Sequence, residues 1–237
     1  MGPALMAAPN LNAARVPVVT VDGPSGTGKG TLCQRLAAGL GWNFLDSGVL
    51  YRLVGYLARK REVAWDDAHL LSAMALELPV EFRTNDAATE IWLEGERVTD
   101  LVRDELIGTA ASRVAACPEV RAALLARQRA MRRAPGLVAD GRDMGTVVFP
   151  DAELKIFLTA SPGIRAERRY KQLKSKGIDV SLAPLLEDIR TRDERDAQRA
   201  AAPLKPAPDA EILDTTLLGI DEVETLVMRM MRSRGLV

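Results

Sequence analysis

Apolar positions along this chain follow two periods in turn. Val16–Val21 (V-P-V-V-T-V) is a short β-branched run, the pattern of a strand buried on both faces. A glycine-rich stretch follows, and then Gly30–Leu40, in which Leu32, Leu36 and Leu40 recur at helical spacing. Trp42–Leu45 predicts a second strand ending in Asp46-Ser47-Gly48, and Leu50–Lys60 predicts a helix. Asp66 or Asp67 is placed to cap another helix that runs through Leu76. The character then changes. Val80–Phe82, Glu90–Leu93 and Glu96–Val98 predict a small antiparallel meander with Glu94-Gly95 as one turn. Helices are expected at Asp104–Ala116 and Glu119–Arg133, separated by Pro118. Gly136–Ala139 reads as a buried strand leading into Asp140-Gly141-Arg142-Asp143, and Leu154–Leu158 as another. Ser161-Pro162 opens a helix in the preferred order of cap then proline. Leu182–Arg199, Glu211–Asp214 and Ile220–Arg234 complete the pattern as helix, strand and helix.

Strands alternating with helices at this spacing specify an α/β fold with a parallel sheet flanked by helices, and the antiparallel patch reads as an insertion. A leader at 1–15 is expected to be flexible, with a single domain over 16–237. Of the 237 residues 47% are hydrophobic and 27% charged, ordinary for a globular chain, which excludes collagen-like, coiled-coil and disordered classes. The 32 basic and 32 acidic residues cancel, which argues against a general polyanion binder, so no nucleic-acid partner is expected. Seven of the basic residues are Lys and 25 are Arg, mostly a composition bias; bidentate phosphate recognition is the minority reading. Cys33 and Cys117 lie far apart with only His69 as a possible imidazole companion, so neither a zinc site nor a disulfide scaffold is indicated. No apolar run approaches the roughly 20 residues that span a bilayer. Pro3, Pro9, Asn10 and Asn12 interrupt any export signal. A cytoplasmic protein with no membrane partner is expected.

The chemistry is concentrated in Gly23-Pro24-Ser25-Gly26-Thr27-Gly28-Lys29-Gly30-Thr31, between a predicted strand and a predicted helix. It matches G-x-x-x-x-G-K, with Gly30 intervening before the Thr that ordinarily follows the Lys directly. Glycines let consecutive backbone N–H groups turn inward around phosphate oxygens. The helix N-terminus adds about half a positive charge and Lys29 a full one. This is a nucleoside triphosphate site. No Asn is followed by Lys, so the guanine-reading motif of GTPases is absent. Asp140, at the end of a buried strand, has the position of a carboxylate that orients magnesium, often through water.

The Gly-Lys-Gly-Thr variant resembles the nucleoside monophosphate kinases. Asp46-Ser47-Gly48 with Tyr51-Arg52, the run from Ala139 to Pro150 (A-D-G-R-D-M-G-T-V-V-F-P), and Arg192-Asp193-Glu194-Arg195-Asp196 with Arg199 resemble the bacterial cytidylate kinase family specifically. Adenylate kinases carry Asp-Gly-x-Pro-Arg where this chain has Asp140-Gly141-Arg142-Asp143. The resemblance runs from about Val16 to the C-terminus and implies a P-loop kinase with a monophosphate-binding insertion at about 48–135 and a short lid at about 163–180. It implies transfer of the γ-phosphoryl of ATP to CMP or dCMP with Mg²⁺, by a chain expected to be a monomer. By the same resemblance, Gly23 to Thr31 hold the ATP phosphates, Thr31 and Asp140 serve the metal, and Lys29, Arg142, Asp140 and Arg199 are catalytic. Arg52, Arg142 and Arg199 would grip the acceptor phosphate. Ser112, Arg121, Asp143 and Ser47 would read cytosine, with Tyr51 in the same site, and Arg192 and Asp196 would meet the ribose.

Arg192, Asp196 and Arg199 are four and then three residues apart and so share a helix face. Arg165, Arg168 and Arg169 also share a face, in the segment resembling the lid; closure would bring their cations to the γ-phosphate and exclude water. The run Arg127, Arg129, Arg132, Arg133 reads as a solvated helix end. His69 reads as structural. A phosphate dianion is already a nucleophile, so the expected chemistry needs positioning and charge neutralisation rather than a general base. A kinase for another small molecule and a nucleotide-binding regulatory module are the rival readings.

Overall fold

The computed structural model describes residues 15–84, 89–175 and 177–237; the leader expected at 1–15 lies, Arg15 apart, outside them. The chain enters along β1 (Val18–Asp22), turns through the glycine-rich loop into α1 (Lys29–Leu40) and returns along β2 (Asn43–Asp46). Next come α2 (Ser47–Lys60) and α3 (Ala68–Leu76), each started by an aspartate. Asp46 accepts from Val49 N–H at 3.2 Å and Asp67 from Leu70 N–H at 3.0 Å, which satisfies a backbone donor that the first helical turn leaves free. The Asp46 cap explains why α2 begins at Ser47 rather than at Leu50.

The meander follows as β3 (Val80–Thr84), β4 (Thr89–Leu93) and β5 (Glu96–Arg97), antiparallel throughout. A 3₁₀ turn at Leu101–Arg103 leads to α4 (Glu105–Val114) and α5 (Pro118–Arg129). β6 (Leu137–Gly141), a turn of π-helix at Met144–Val148, β7 (Leu154–Thr159), α6 (Pro162–Lys174), α7 (Leu182–Gln198), β8 (Glu211–Asp214) and α8 (Ile220–Ser233) complete the fold. The π-helical turn has no counterpart in the sequence pattern.

The main sheet is parallel, in the order β2-β6-β1-β7-β8, and the meander forms a separate three-stranded sheet. Alternate residues of each inner strand serve opposite layers. Val19, Val21 and Val138 pack with Leu32, Leu36, Val227 and Met231 of α1 and α8, whereas Val18, Leu137 and Ala139 pack with Leu53, Leu57, Leu71 and Leu124 of α2, α3 and α5. Both faces are therefore covered, which is why the strands read as unbroken apolar runs. From β1 the chain crosses to β2 on one side, and later to β7 on the other. That reversal leaves a crevice at the carboxyl ends of the strands, where open α/β sheets hold their ligands. Register places three aspartates there: Asp46 opposite Asp140, Asp140 opposite Val21, and Asp22 opposite Gly141.

One expectation is corrected here. α5 ends at Arg129, not Arg133, and of the basic run Arg129 and Arg132 are tied to carbonyls rather than solvated, whereas Arg127 stands in the last helical turn and Arg133 is exposed. Arg129 donates to the Val147 and Val148 carbonyls, both at 3.0 Å, and Arg132 donates to the Val16 carbonyl at 2.7 Å while pairing with Asp151 and Glu153. Guanidinium groups here tie loops to the sheet because each offers several donors in a fixed fork. Cys33 and Cys117 are free, and Cys33 is buried. Among the described residues no helix is long and apolar enough to cross a membrane.

Candidate active site

The loop between β1 and α1 is built from backbone. Gly23 takes φ +141°, and a Cβ there would stand 2.1 Å from the Leu158 carbonyl oxygen, so only glycine lets the chain leave the strand this close to β7. Gly28, at φ 94°, precedes α1 with no side-chain cap, and the first turn carries no acidic residue. The helix N-terminus is thus left electropositive, as an anion site requires. Lys29 is 5% exposed and its Nζ donates to the Pro24 carbonyl at 2.7 Å. Burial, reinforced by the Arg142 charge, lowers its pKa to about 8. Thr31 lies exposed two residues further into α1. Asp140 sits beneath the helix start, where a Cβ on Gly30 would lie 3.4 Å from its Oδ2. Burial raises the Asp140 pKa to about 7 against the opposing pull of Lys29.

Facing this loop is a wall of side chains from five elements, and together they enclose a cleft of about 380 Å³. α2 contributes Ser47, Tyr51 and Arg52, and α4 contributes Ser112. α5 contributes Arg121, the end of β6 leads into Arg142 and Asp143, and α7 with its C-cap contributes Arg192, Asp196 and Arg199. Every acceptor-site residue expected from the sequence is in this one cleft. Arg52 is oriented by the carbonyls of Val102 (2.8 Å) and Asp104 (3.2 Å). Arg142 donates from Nε to Asp196 at 3.0 Å; burial works against its charge, but Asp196 and Asp140 outweigh that and raise its pKa. Arg192 pairs with Glu105 at 2.9 Å and reaches Thr109 at 3.2 Å. Arg121 pairs with Asp143, donates to the Ala115 carbonyl at 3.1 Å and lies over the Tyr51 ring. Arg199 donates from Nε to the Asp196 carbonyl at 3.3 Å, while its buried NH2 has no protein partner among the described residues. Burial lowers the pKa of both Arg52 and Arg199, as expected of cations that have been desolvated without full compensation. Ser112 Oγ accepts from Arg195 at 3.0 Å, which leaves its hydroxyl proton for another acceptor.

The three arginines expected to carry charge to a γ-phosphate are held by protein groups in this structure. Arg165 is 2% exposed; it donates to the Ser25 carbonyl at 3.1 Å and the Ala160 carbonyl at 3.0 Å, and it pairs with Asp193 of α7. Arg168 is held by Thr215 Oγ1 at 3.1 Å and by the carbonyls of Thr215, Leu218 and Thr27. Arg169 pairs with Glu105 of α4. They brace the loop and the helix pair in this structure, because buried carbonyls and carboxylates on neighbouring elements compete for their donors. Thr27 is likewise a brace, its hydroxyl donating to the Pro24 carbonyl at 3.1 Å.

Two further residues, Glu105 and Asp22, escaped the sequence reading, and Asp193 enters it only as a member of the Arg192–Asp196 motif, with no role. No local pattern marks what Glu105 and Asp193 do, since each acts through an arginine of another element. Asp22 could have been noticed as an acidic residue at the end of an apolar strand, next to Gly23. Burial raises its pKa to about 6 even though two backbone N–H groups oppose the shift. A larger hollow of about 950 Å³ lies around Trp65, Arg113 and Cys117, but it has no phosphate-binding loop. Among the described residues no group of three or more His, Cys, Asp or Glu is arranged to hold a metal.

Comparison with known proteins agrees with this geometry. Residues 19–233 match the family described as cytidylate kinase. A cytidylate kinase of Stutzerimonas stutzeri is 59% identical over 223 residues, covering 93% of this chain and 97% of that protein. One from Pseudomonas aeruginosa is 57% identical over 222 residues (93% and 97% covered), and one from Aeromonas hydrophila 56% over 212 residues (90% and 92%). With identity this high across both lengths, and with a glycine loop facing an arginine-lined wall, the chain belongs to the cytidylate kinase family.

Proposed function

We propose that this chain transfers the γ-phosphoryl group of ATP to CMP or dCMP, giving ADP and CDP or dCDP, as a cytoplasmic enzyme. The observation that carries this reading is the opposition, within one cleft, of a backbone-built anion loop and the cations Arg52, Arg142 and Arg199. Donor phosphates at the N-terminus of α1 and an acceptor phosphate on those arginines would meet between Lys29 and Arg142. Lys29 and Arg142 then neutralise charge on the transferring group, while the walls of the cleft exclude water that would otherwise hydrolyse ATP. No side chain need take a proton from an acceptor dianion.

The donor set suits a hard divalent cation bound together with phosphate oxygens rather than in a cage of protein ligands. The Thr31 hydroxyl and, through water, the Asp140 carboxylate would hold Mg²⁺, which when bound offsets phosphate charge. Burial raises the Asp140 pKa, with the neighbouring Asp46 adding to the shift, so this carboxylate gains from a nearby cation.

At the other end of the cleft, Arg121 and Asp143 form the base site in this reading. A carboxylate accepts from the 4-amino group of cytosine and an arginine donates to N3 and the 2-carbonyl; uracil presents the opposite polarity at positions 3 and 4. The test is ADP release against a panel of nucleoside monophosphates with a no-acceptor control. Turnover confined to CMP and dCMP is expected. Equal turnover with AMP or UMP, or ADP release without acceptor at the same rate, would overturn the assignment.

A further inference from the structure

Asp143 stands at the N-cap of the π-helical turn Met144–Val148. There an aspartate ordinarily turns its carboxylate back onto the first free N–H groups. It makes no such cap bond; its carboxylate is directed instead at Arg121. The free donors are taken by Asp22, from the far end of β1: one carboxylate oxygen accepts from Met144 N–H and the other from Gly145 N–H, both at 2.8 Å. Asp22 is 5% exposed, so its oxygens have no ready substitute in water. Gly145 makes the fit possible. A Cβ there would stand 2.9 Å from Thr20 Oγ1 and 3.2 Å from the Lys155 side chain, so the turn lies flat on the sheet only because this residue has none.

We propose that Asp22 is a positioning residue for base recognition. By capping the Met144–Val148 turn from β1, it releases the Asp143 carboxylate to pair with Arg121 and face the acceptor base. The proposal rests on Arg121 and Asp143 being the base-reading pair. Without the Asp22 carboxylate, two N–H groups lose their acceptor, and the nearest replacement is Asp143 itself, already in a cap position. Asp143 then folds back onto its own turn, Arg121 loses its partner, and the contrast between amino and carbonyl at the base 4-position fades. Among the described residues Asp22 accepts its side-chain hydrogen bonds from the acceptor side alone, while its charge also acts on Lys29 of the donor loop, an effect that Gly145→Ala leaves in place.

Asp22→Asn tests this, because a carboxamide offers one accepting oxygen and sets an NH₂ against the other N–H. The kcat/KM for CMP should fall about 10–100-fold, the size of a lost hydrogen bond to a charged group, and the ratio of CMP to UMP should narrow. In a ¹⁵N–¹H spectrum the Met144 and Gly145 amide protons should move upfield as their charge-assisted bonds are lost. Gly145→Ala lifts the turn off Asp22 with no change of charge; it should narrow the same ratio, and it covers the case in which Asp22→Asn does not fold. Asp143→Asn, measured alongside, separates the two levels. If it leaves the CMP-to-UMP ratio unchanged, the base-reading assignment fails and the proposal with it. If it narrows the ratio while folded Asp22→Asn and Gly145→Ala do not, Asp22 serves the fold alone and the proposal is overturned.

Discussion

The two walls of the cleft are built on different principles. The donor wall is one contiguous stretch, Gly23 to Thr31, whose working groups are main-chain N–H groups and a single lysine on the first turn of a helix. The acceptor wall draws single side chains from α2, α4, α5, the end of β6 and α7, and holds its arginines, Arg199 excepted, through partners on different elements. Backbone donors need only the right dihedral angles, which glycine supplies locally. Long arginines need to be held, since an unconstrained guanidinium loses rotamer entropy each time it binds. Hence the Asp196 carboxylate on Arg142, Glu105 on Arg192, and Asp143 on Arg121. On the proposed reading, the donor side should fail by loss of a single group and the acceptor side by loss of a brace.

The largest effect is expected on the donor side. Lys29→Ala should leave the fold intact and reduce kcat about 10²–10³-fold, the usual consequence of removing one preorganised charge contact. Steady-state kinetics with a melting curve check it; near-normal turnover would separate Lys29 from the reaction and remove the contrast between the walls. On the acceptor side, Asp196→Ala should lower kcat/KM for both CMP and dCMP by about tenfold or more, because Arg142 loses the 3.0 Å bond that holds it. If Asp196 also binds the ribose 2′-hydroxyl, CMP falls further than dCMP; equal losses assign it to Arg142 alone, and an unaffected dCMP would refute the brace.

The smallest effect is on stability. Asp140 has a folded pKa of about 7, above its ordinary value of 3.8, and burial is the dominant cause. The folded state therefore holds this proton more tightly than the unfolded state, and the contribution of Asp140 to stability declines as pH rises between those two values. Asp140→Asn stays neutral. In metal-free, nucleotide-free protein it should melt higher than the parent at pH 8, by about 2–4 °C for each kcal/mol recovered, and the gap should close toward pH 5 while turnover is lost. A lower melting point at pH 8 would mean that the attraction of Lys29 outweighs burial.

What the sequence determined by itself is what short-range physics encodes. Short unbroken apolar runs against a recurrence of about 3.6 residues separate strands from helices, and glycines at Gly23, Gly26 and Gly28 announce a loop that must take positive φ. Capping aspartates mark helix starts, so that α3 begins just after Asp67 and β8 spans the predicted Glu211–Asp214. The tertiary structure alone decided the strand order β2-β6-β1-β7-β8, because an apolar run carries no record of which neighbour it pairs with. It also decided what each arginine does. Arg165 and Arg199 look alike in the sequence, yet one is held by Ser25, Ala160 and Asp193 while the other keeps a buried nitrogen with no partner among the described residues. A guanidinium has the same donors wherever it stands. Its role is set by acceptors that arrive from distant parts of the chain, as Asp22 does for a turn 122 residues away.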